Sequence, residues 1–399
     1  MTHFEFATAT RIIFGAGKLR EIGPIAKEFG RRVLIVTGRS ADRSRELNRL
    51  LGEQRIARWT LTTVGEPKIE DVERGVQFAL SEGCDLVISF GGGSAIDAGK
   101  AIAALMTNDG DLFDYLEVIG RGKPLTKPPL PFIAIPTTAG AGTEVTRNAV
   151  LASPEHRVKV SLRSPLMLPK IALVDPELTY DLPSAITAST GLDALTQLIE
   201  PYVSSKANSL TDAICIEGMR RVARSLKPAF DHSLQTANGN TGVSERFKAA
   251  REDMALAALF GGLALANAGL GAVHGFAAPV GGMFPAPHGA VCAALLPHVM
   301  EANLRALRDR ASANEPLRRY DKVARLLTGN ADATADDGVE WARGLCDEVG
   351  IVPLGDYGVT NSDLPVLVEN AAKSSSMKGN PIVLTAEEMN DILERALRK

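Results

Sequence analysis

Between Arg32 and Ser184 the chain alternates short runs of β-branched and other apolar residues with amphipathic segments of helical spacing. RVLIVTG (32–38) reads as a strand, RSRELNRLLGE (43–53) as a helix, ARWTLTTV (57–64) as a strand and IEDVERGVQFALSEG (69–83) as a helix. The strand DLVISF (85–90), a glycine turn, the helix AIDAGKAIAALM (95–106) and the strand PFIAIPT (131–137) follow. Strands and helices alternating at this length predict a mostly parallel, doubly wound sheet. Residues 147–163, with a turn at SPEHR, read as an antiparallel hairpin, and IALVDP (171–176) as one more strand.

After Pro183 the pattern changes to helical spacing, with no β-branched run flanked by turns. The expected organisation is an α/β domain over 1–182 and an all-helical domain over 183–399, the boundary falling near Leu182. TANGNTGVSE (236–245) reads as an exposed loop between helices from its Asn, Gly and Thr content. Within the helical half, GLDALTQLIEPY (191–202) sets Asp193 and Gln197 four residues apart, on one helical face.

Composition narrows the function classes. The 399 residues are 45% hydrophobic, enough for a large core, and Lys plus Arg (44) nearly balances Asp plus Glu (47) for a net charge of -3. With no basic block and few aromatics, nothing points to nucleic acid or an anionic membrane as partner. The four cysteines, Cys84, Cys215, Cys292 and Cys346, are far apart with no CxxC pair. That spacing indicates neither a disulfide framework nor a cysteine zinc site, and fits reduced thiols in a cytoplasmic protein. The first residues lack a basic start followed by an apolar core, so no signal peptide is expected. The most apolar stretch, 254–278, is broken by glycines and carries Asn267 and His274, which reads as a buried helix rather than a membrane span.

DLVISFGGGSAIDAGKAIA places Gly91, Gly92, Gly93 and Ser94 between a strand and a helix. Without Cβ atoms the backbone can approach a diphosphate closely, and the free N–H groups and dipole of the helix start stabilise the anion. Asp97 and Lys100 follow one turn later. The plain alternative is a tight turn that needs glycine for its shape only. A second turn of small polar residues, PTTAGAGTEVT (136–146), also follows a strand, and two such turns at strand ends favour a dinucleotide crevice. The first strand ends Thr37-Gly38-Arg39-Ser40 with no acid. A carboxylate there would repel a 2′-phosphate, whereas Gly38 followed by Arg39 leaves room and donors for one, which favours NADP over NAD.

Taken in order, FGAG, GGGSxxD, PTTAGxGxE, IALVDPxL, LPxxxTAxTGxDAL, VHG, PHG, LLPH and NPxxLT resemble the iron-containing (group III) alcohol dehydrogenases over essentially the whole chain. These are more distantly related to glycerol dehydrogenase and dehydroquinate synthase. The resemblance implies an N-terminal nucleotide-binding domain, a C-terminal helical domain, an active-site cleft between them and a homodimer. It implies hydride transfer between a nicotinamide cofactor and the carbonyl or carbinol carbon of a small substrate. Gly91, Gly92, Ser94 and Asp97 match the family's pyrophosphate turn, and Thr137, Thr138 and Lys159 match positions lining the cofactor.

The family's metal site is usually one Asp and three His. Asp193, His274 and His288 match three of these positions, and the fourth carries Gln197. At Ala278 many members have a further His near the substrate. The set of one carboxylate and two imidazoles accepts Fe(II), Zn(II) or similar ions. Gln197 then has two readings, a weak fourth ligand through its carbonyl oxygen or a hydrogen-bonding partner of a metal water or substrate. A third is a site that holds no metal. With Ala278 in place of a proton donor, the proton comes from water on the metal, the ribose hydroxyl of the cofactor or Gln197. His298, alone on an apolar helix, reads as a core residue. Beside the dehydrogenase stand a maleylacetate-reductase-type enzyme, a dehydroquinate-synthase-like lyase and a non-catalytic cofactor-binding protein. The lyase needs many Lys and Arg residues around an anionic substrate, and the motifs here look like the dehydrogenases.

Overall fold

The computed structural model describes residues 3–237, 242–311 and 314–398. Two compact units emerge, one of Ala7–Thr138 with Gly142–Tyr180, the other of Asp181–Lys399 with Met1–Phe6 and Ala139–Ala141.

The first unit holds β1 (Arg11–Phe14), β2 (Arg32–Thr37), β3 (Ala57–Thr62), β4 (Leu86–Gly91), β5 (Phe132–Pro136) and β8 (Ile171–Val174) in one six-stranded sheet. The order is β1-β8-β5-β4-β2-β3 and every pair is parallel. β4, β5 and β8 are buried along their whole length, as expected of parallel strands covered on both faces. Alternate residues of β2 divide between two cores. Val33 and Ile35 pack with residues of α1 (Ile22–Phe29) and α2 (Arg45–Glu53), while Leu34 and Val36 pack with α3 (Ile69–Ser81) and α4 (Gly93–Leu105). The sheet is therefore doubly wound. A short α5 (Leu112–Tyr115) and the antiparallel hairpin of β6 (Asn148–Ser153) and β7 (Val158–Arg163) complete the unit.

β1 has no counterpart among the strands expected from the sequence. Its four residues pair with Ile171–Val174, about 160 positions away, so nothing local marks them as a strand. Along the sheet, β3 and β4 leave β2 on opposite sides, which makes the carboxyl ends of β2 and β4 the point where strand order reverses.

The second unit comprises α6 (Ser184–Val203), α7 (Ser209–Ala237), α8 (Glu245–Ala268), α9 (Ala272–Met283), α10 (His288–Arg310), α11 (Glu315–Thr328), α12 (Ala335–Glu348), α13 (Leu364–Lys373) and α14 (Ala386–Ala396). α6 is buried on every side from Gly191 to Val203, with α7, α8 and α10 packed around it. Gly191 permits the close approach of α7, since a Cβ there would lie 2.3 Å from Leu226 Cδ1. Two helices flank the loop expected at 236–245. α7 continues to Ala237 and α8 begins at Glu245, capped by Ser244 accepting from the Phe247 N–H, while 238–241 lie outside the described residues. Among the described residues no single helix is long and apolar enough to cross a membrane, and α8 and α9 meet at 101°.

Candidate metal centre and cofactor turn

α6 supplies the base of the centre. Asp193, Gln197 and Glu200 stand at i, i+4 and i+7, on one helical face, and all three are buried. α9 enters through Gly271, where a Cβ would meet Glu200 Oε1 at 2.9 Å and Asn380 Oδ1 at 3.0 Å. Those two side chains satisfy the free end of the helix: the Val273 N–H donates to Glu200 Oε1 (2.7 Å) and the Ala272 N–H to Asn380 Oδ1 (3.1 Å). The second oxygen of Glu200 lies 2.7 Å from His274 Nδ1. A carboxylate at that nitrogen fixes the tautomer with the proton on Nδ1, leaving the Nε2 lone pair free. That Nε2 lies 3.4 Å from Asp193 Oδ1.

α10 starts at His288, whose Nε2 lies 3.9 Å from the same Asp193 oxygen. Cys292, one turn further along α10, is fully buried, with Sγ 3.7 Å from His288 Nε2 and 3.8 Å from His274 Nε2. Asp193, His274, His288 and Cys292 each bring one donor atom within 4.8 Å of the others. Gln197 sits beside this group. Its amide N–H donates to Asp193 Oδ1 at 3.4 Å, and its carbonyl oxygen, buried without a hydrogen-bond partner among the described residues, lies on the side of Gly261. Cys292, to which the sequence reading gave no role, lies within reach of this group. Its spacing of four from His288 was the available signal, and Glu200, seven residues after Asp193, was overlooked in the same way. Ala278 lies one turn after His274 on α9 and presents only a methyl group. His298 Nδ1 is buried with no partner among the described residues.

The electrostatics of the cluster suit a cation. Burial works against ionising Asp193, but the two imidazoles, with help from Cys292, hold its carboxyl below the usual range. Burial likewise opposes the charged form of His274, yet Cys292, Glu200 and Asp193 raise its pKa well above the ordinary value. His288 is also raised: burial opposes it, and Cys292 and Asp193 outweigh that. Among the described residues, Asp193 has imidazoles but no ammonium or guanidinium as ion-pair partners. A buried carboxylate needs a positive partner; the protonated imidazoles meet that need in the bare protein, and a divalent ion among these donors would take their place. The residues fit a metal.

The cofactor candidates gather at the switch point of the sheet. Gly91 closes β4 and abuts the end of β2, where a Cβ on Gly91 would stand 2.7 Å from Ala95 Cβ and 3.3 Å from the Gly38 nitrogen. The Thr137 N–H donates to Gly91 O (2.9 Å), and Thr138 flanks Gly92, at 3.4 Å from an added Cβ. Gly38, Gly91–Ser94, Thr137 and Thr138 are thus brought together at three adjacent strand ends. Gly93 and Ser94 open α4, and Asp97 lies buried in its first turns. Arg39 is exposed just beyond β2. Lys159 lies on β7, its side chain buried and its ammonium 2.9 Å from Glu66. Lys100 is buried and donates to Thr146 O, Thr146 Oγ1 and Asn148 O at 2.8–2.9 Å.

Comparisons with known proteins agree over the full chain. The family model for iron-containing alcohol dehydrogenase matches residues 9–176, and that for the C-terminal part of the Fe-containing alcohol dehydrogenase family matches residues 187–397. Alcohol dehydrogenase 4 of Schizosaccharomyces pombe is 37% identical over 391 residues, covering 96% of this chain and 87% of the relative. An NAD-dependent methanol dehydrogenase of Bacillus methanolicus is 32% identical over 409 residues, covering all of both chains. The crystal structure of a 1,3-propanediol oxidoreductase superposes with a TM-score of 0.85 at 33% identity, covering 99% of this chain and 100% of the other. The chain therefore belongs to the iron-containing alcohol dehydrogenase family.

Proposed function

We propose that this protein interconverts a small alcohol and its aldehyde or ketone with NAD(P), using Asp193, His274 and His288 to hold a divalent metal. The observation that carries the reading is the convergence of these three side chains on one buried point, with Glu200 bonded to the far side of His274. A divalent cation in this donor set would supply Lewis acidity, stabilising the negative charge that reduction of a carbonyl builds on its oxygen. Glu200 keeps the His274 Nε2 lone pair directed at that point by accepting from Nδ1. Gln197 donates to Asp193 Oδ1 and steadies the carboxylate. Ala278 cannot carry a proton, so the proton at the substrate oxygen comes from water or from the cofactor ribose.

The backbone N–H groups at Gly92–Ser94 take the cofactor diphosphate, with Gly91 allowing the approach and Thr137 and Thr138 flanking it. Gly38 and Arg39 admit a 2′-phosphate, because residues 37–40 at the end of β2 include no acid, while the relative from Bacillus methanolicus is named as NAD-dependent. We include NADP as a second cofactor on the first ground. The protein works as a homodimer in this reading. The test is to incubate the purified protein with NADH or NADPH and a panel of small aldehydes and ketones, before and after chelation and metal add-back. Metal-dependent turnover supports the proposal. No turnover with any metal favours a non-catalytic cofactor-binding protein, the reading that the changes at Gln197 and Ala278 allow.

A further inference from the structure

We infer that Cys292 is the fourth metal ligand of this site, so that the donor set is one carboxylate, two imidazoles and one thiolate, with Gln197 outside the coordination sphere. The inference rests on the reading of Asp193, His274 and His288 as ligands.

Three observations carry it. The first is distance. Metal–sulfur bonds of about 2.3 Å and metal–nitrogen or –oxygen bonds of about 2.0–2.1 Å, set at the tetrahedral angle, place sulfur about 3.6 Å from nitrogen and nitrogen about 3.3 Å from oxygen. Cys292 Sγ stands 3.7 and 3.8 Å from the two imidazole Nε2 atoms, and His274 Nε2 stands 3.4 Å from Asp193 Oδ1. His288 to Asp193 is a little longer at 3.9 Å. The second is orientation. Gln197 turns its N–H, which has no lone pair to give, toward Asp193, and its Oε1 is on the Gly261 side, where a Cβ on Gly261 would come within 3.3 Å of it. The third is placement. Cys292 is fully buried on α10 one turn after His288, so both side chains face the same point from one rigid element.

Chemistry points the same way. A thiolate is a softer and stronger donor than an amide oxygen and favours Zn(II) and Co(II) over harder ions. Binding displaces the thiol proton to solvent, leaving two anionic ligands, Asp193 and Cys292, around the dication. The site is then formally neutral, whereas one carboxylate and three neutral imidazoles would leave it with one positive charge.

Cobalt titration of the metal-free protein tests this without reference to turnover. One equivalent of Co(II) should produce a sulfur-to-metal charge-transfer band in the near ultraviolet together with the visible bands of a four-coordinate ion. In Cys292→Ser the charge-transfer band should vanish, and in Gln197→Ala it should persist. If Cys292→Ser does not fold, X-ray absorption on the zinc-loaded parent protein decides: a sulfur neighbour at about 2.3 Å supports the inference, and a shell of nitrogen and oxygen alone overturns it. Cobalt bound in the visible with no charge-transfer band also overturns it, while leaving the three-residue metal site standing. Failure to bind cobalt or zinc at all sinks the underlying metal reading, and this inference with it.

Discussion

Replacing Glu200 by glutamine keeps the shape of the side chain and removes its charge at a point where both oxygens are in use. One accepts from the Val273 N–H and the other sits 2.7 Å from His274 Nδ1. An amide has only one oxygen. If it stays on Val273, the amide NH2 faces His274 Nδ1, and the ring satisfies it only by moving its own proton to Nε2, the atom 3.4 Å from Asp193. The lone pair needed for a metal is then lost. If the amide turns over instead, His274 keeps its tautomer and the buried Val273 N–H meets another donor, at a cost of about 1–3 kcal/mol. Either way the site is disfavoured. Loss of a carboxylate behind a ligating histidine typically weakens metal binding by about 10–100-fold, about 1.4–2.7 kcal/mol. Competition between the protein and a chromophoric chelator for Zn(II) measures this directly, with circular dichroism to verify the fold. A variant that is folded and binds zinc within about twofold of the parent would refute the role given to Glu200.

Three further outcomes follow from other parts of the structure. Gly99 lies in α4 against β4, where a Cβ would sit 2.0 Å from Ser89 Oγ and 3.0 Å from Phe132. Gly99→Ala should therefore lower Tm, since overpacking of about 1–3 kcal/mol outweighs a helix-propensity gain of about 1 kcal/mol, and an unchanged or raised Tm would contradict that packing. Burial pushes the Glu144 carboxyl up to about 7, only partly offset by its backbone hydrogen bond and Lys100. The folded state then holds a proton there that the unfolded chain has lost, so this group's stabilisation is complete below its ordinary pKa of 4.5 and is lost as pH rises to about 7. Denaturation midpoints of Glu144→Gln should fall less steeply over that window than those of the parent, by at most about 1.4 kcal/mol per pH unit, and parallel profiles would argue against a neutral Glu144. Finally, Gly91→Ala crowds both Ala95 and the Gly38 backbone. It should weaken NADH binding by about tenfold or more, read by quenching of protein fluorescence or by calorimetry, and unaltered affinity would remove Gly91 from the cofactor turn.

The sheet was legible because its central strands are unbroken apolar runs bounded by turns, and the helical half because its spacing changes after Pro183. β1 was not, because the only reason Arg11–Phe14 forms a strand is its pairing with Ile171–Val174. At the metal centre, the i, i+4 spacing of Asp193 and Gln197 could be read along one helix. Joining them to His274 and His288 took the family resemblance, since three different helices carry them. Cys292 and Glu200 were missed for a physical reason: a cysteine in an apolar helix ordinarily packs as a small hydrophobe, and a glutamate beside Pro201 looks like a solvated helix end. Only the folding of α9 and α10 against α6 reveals what each one faces. Gln197 was the opposite case, visible as a departure from the family, and in the structure its amide N–H donates to Asp193 Oδ1.

The central claim is that this protein needs a metal to move a hydride. The direct measurement is aldehyde-dependent oxidation of NADH by protein freed of metal, with metal content determined on the same sample, followed by stepwise addition of Fe(II), Zn(II) or Co(II). Turnover should be absent at first and should rise in proportion to metal until one ion per chain is bound at Asp193, His274 and His288. Undiminished turnover by verified metal-free protein would contradict the account.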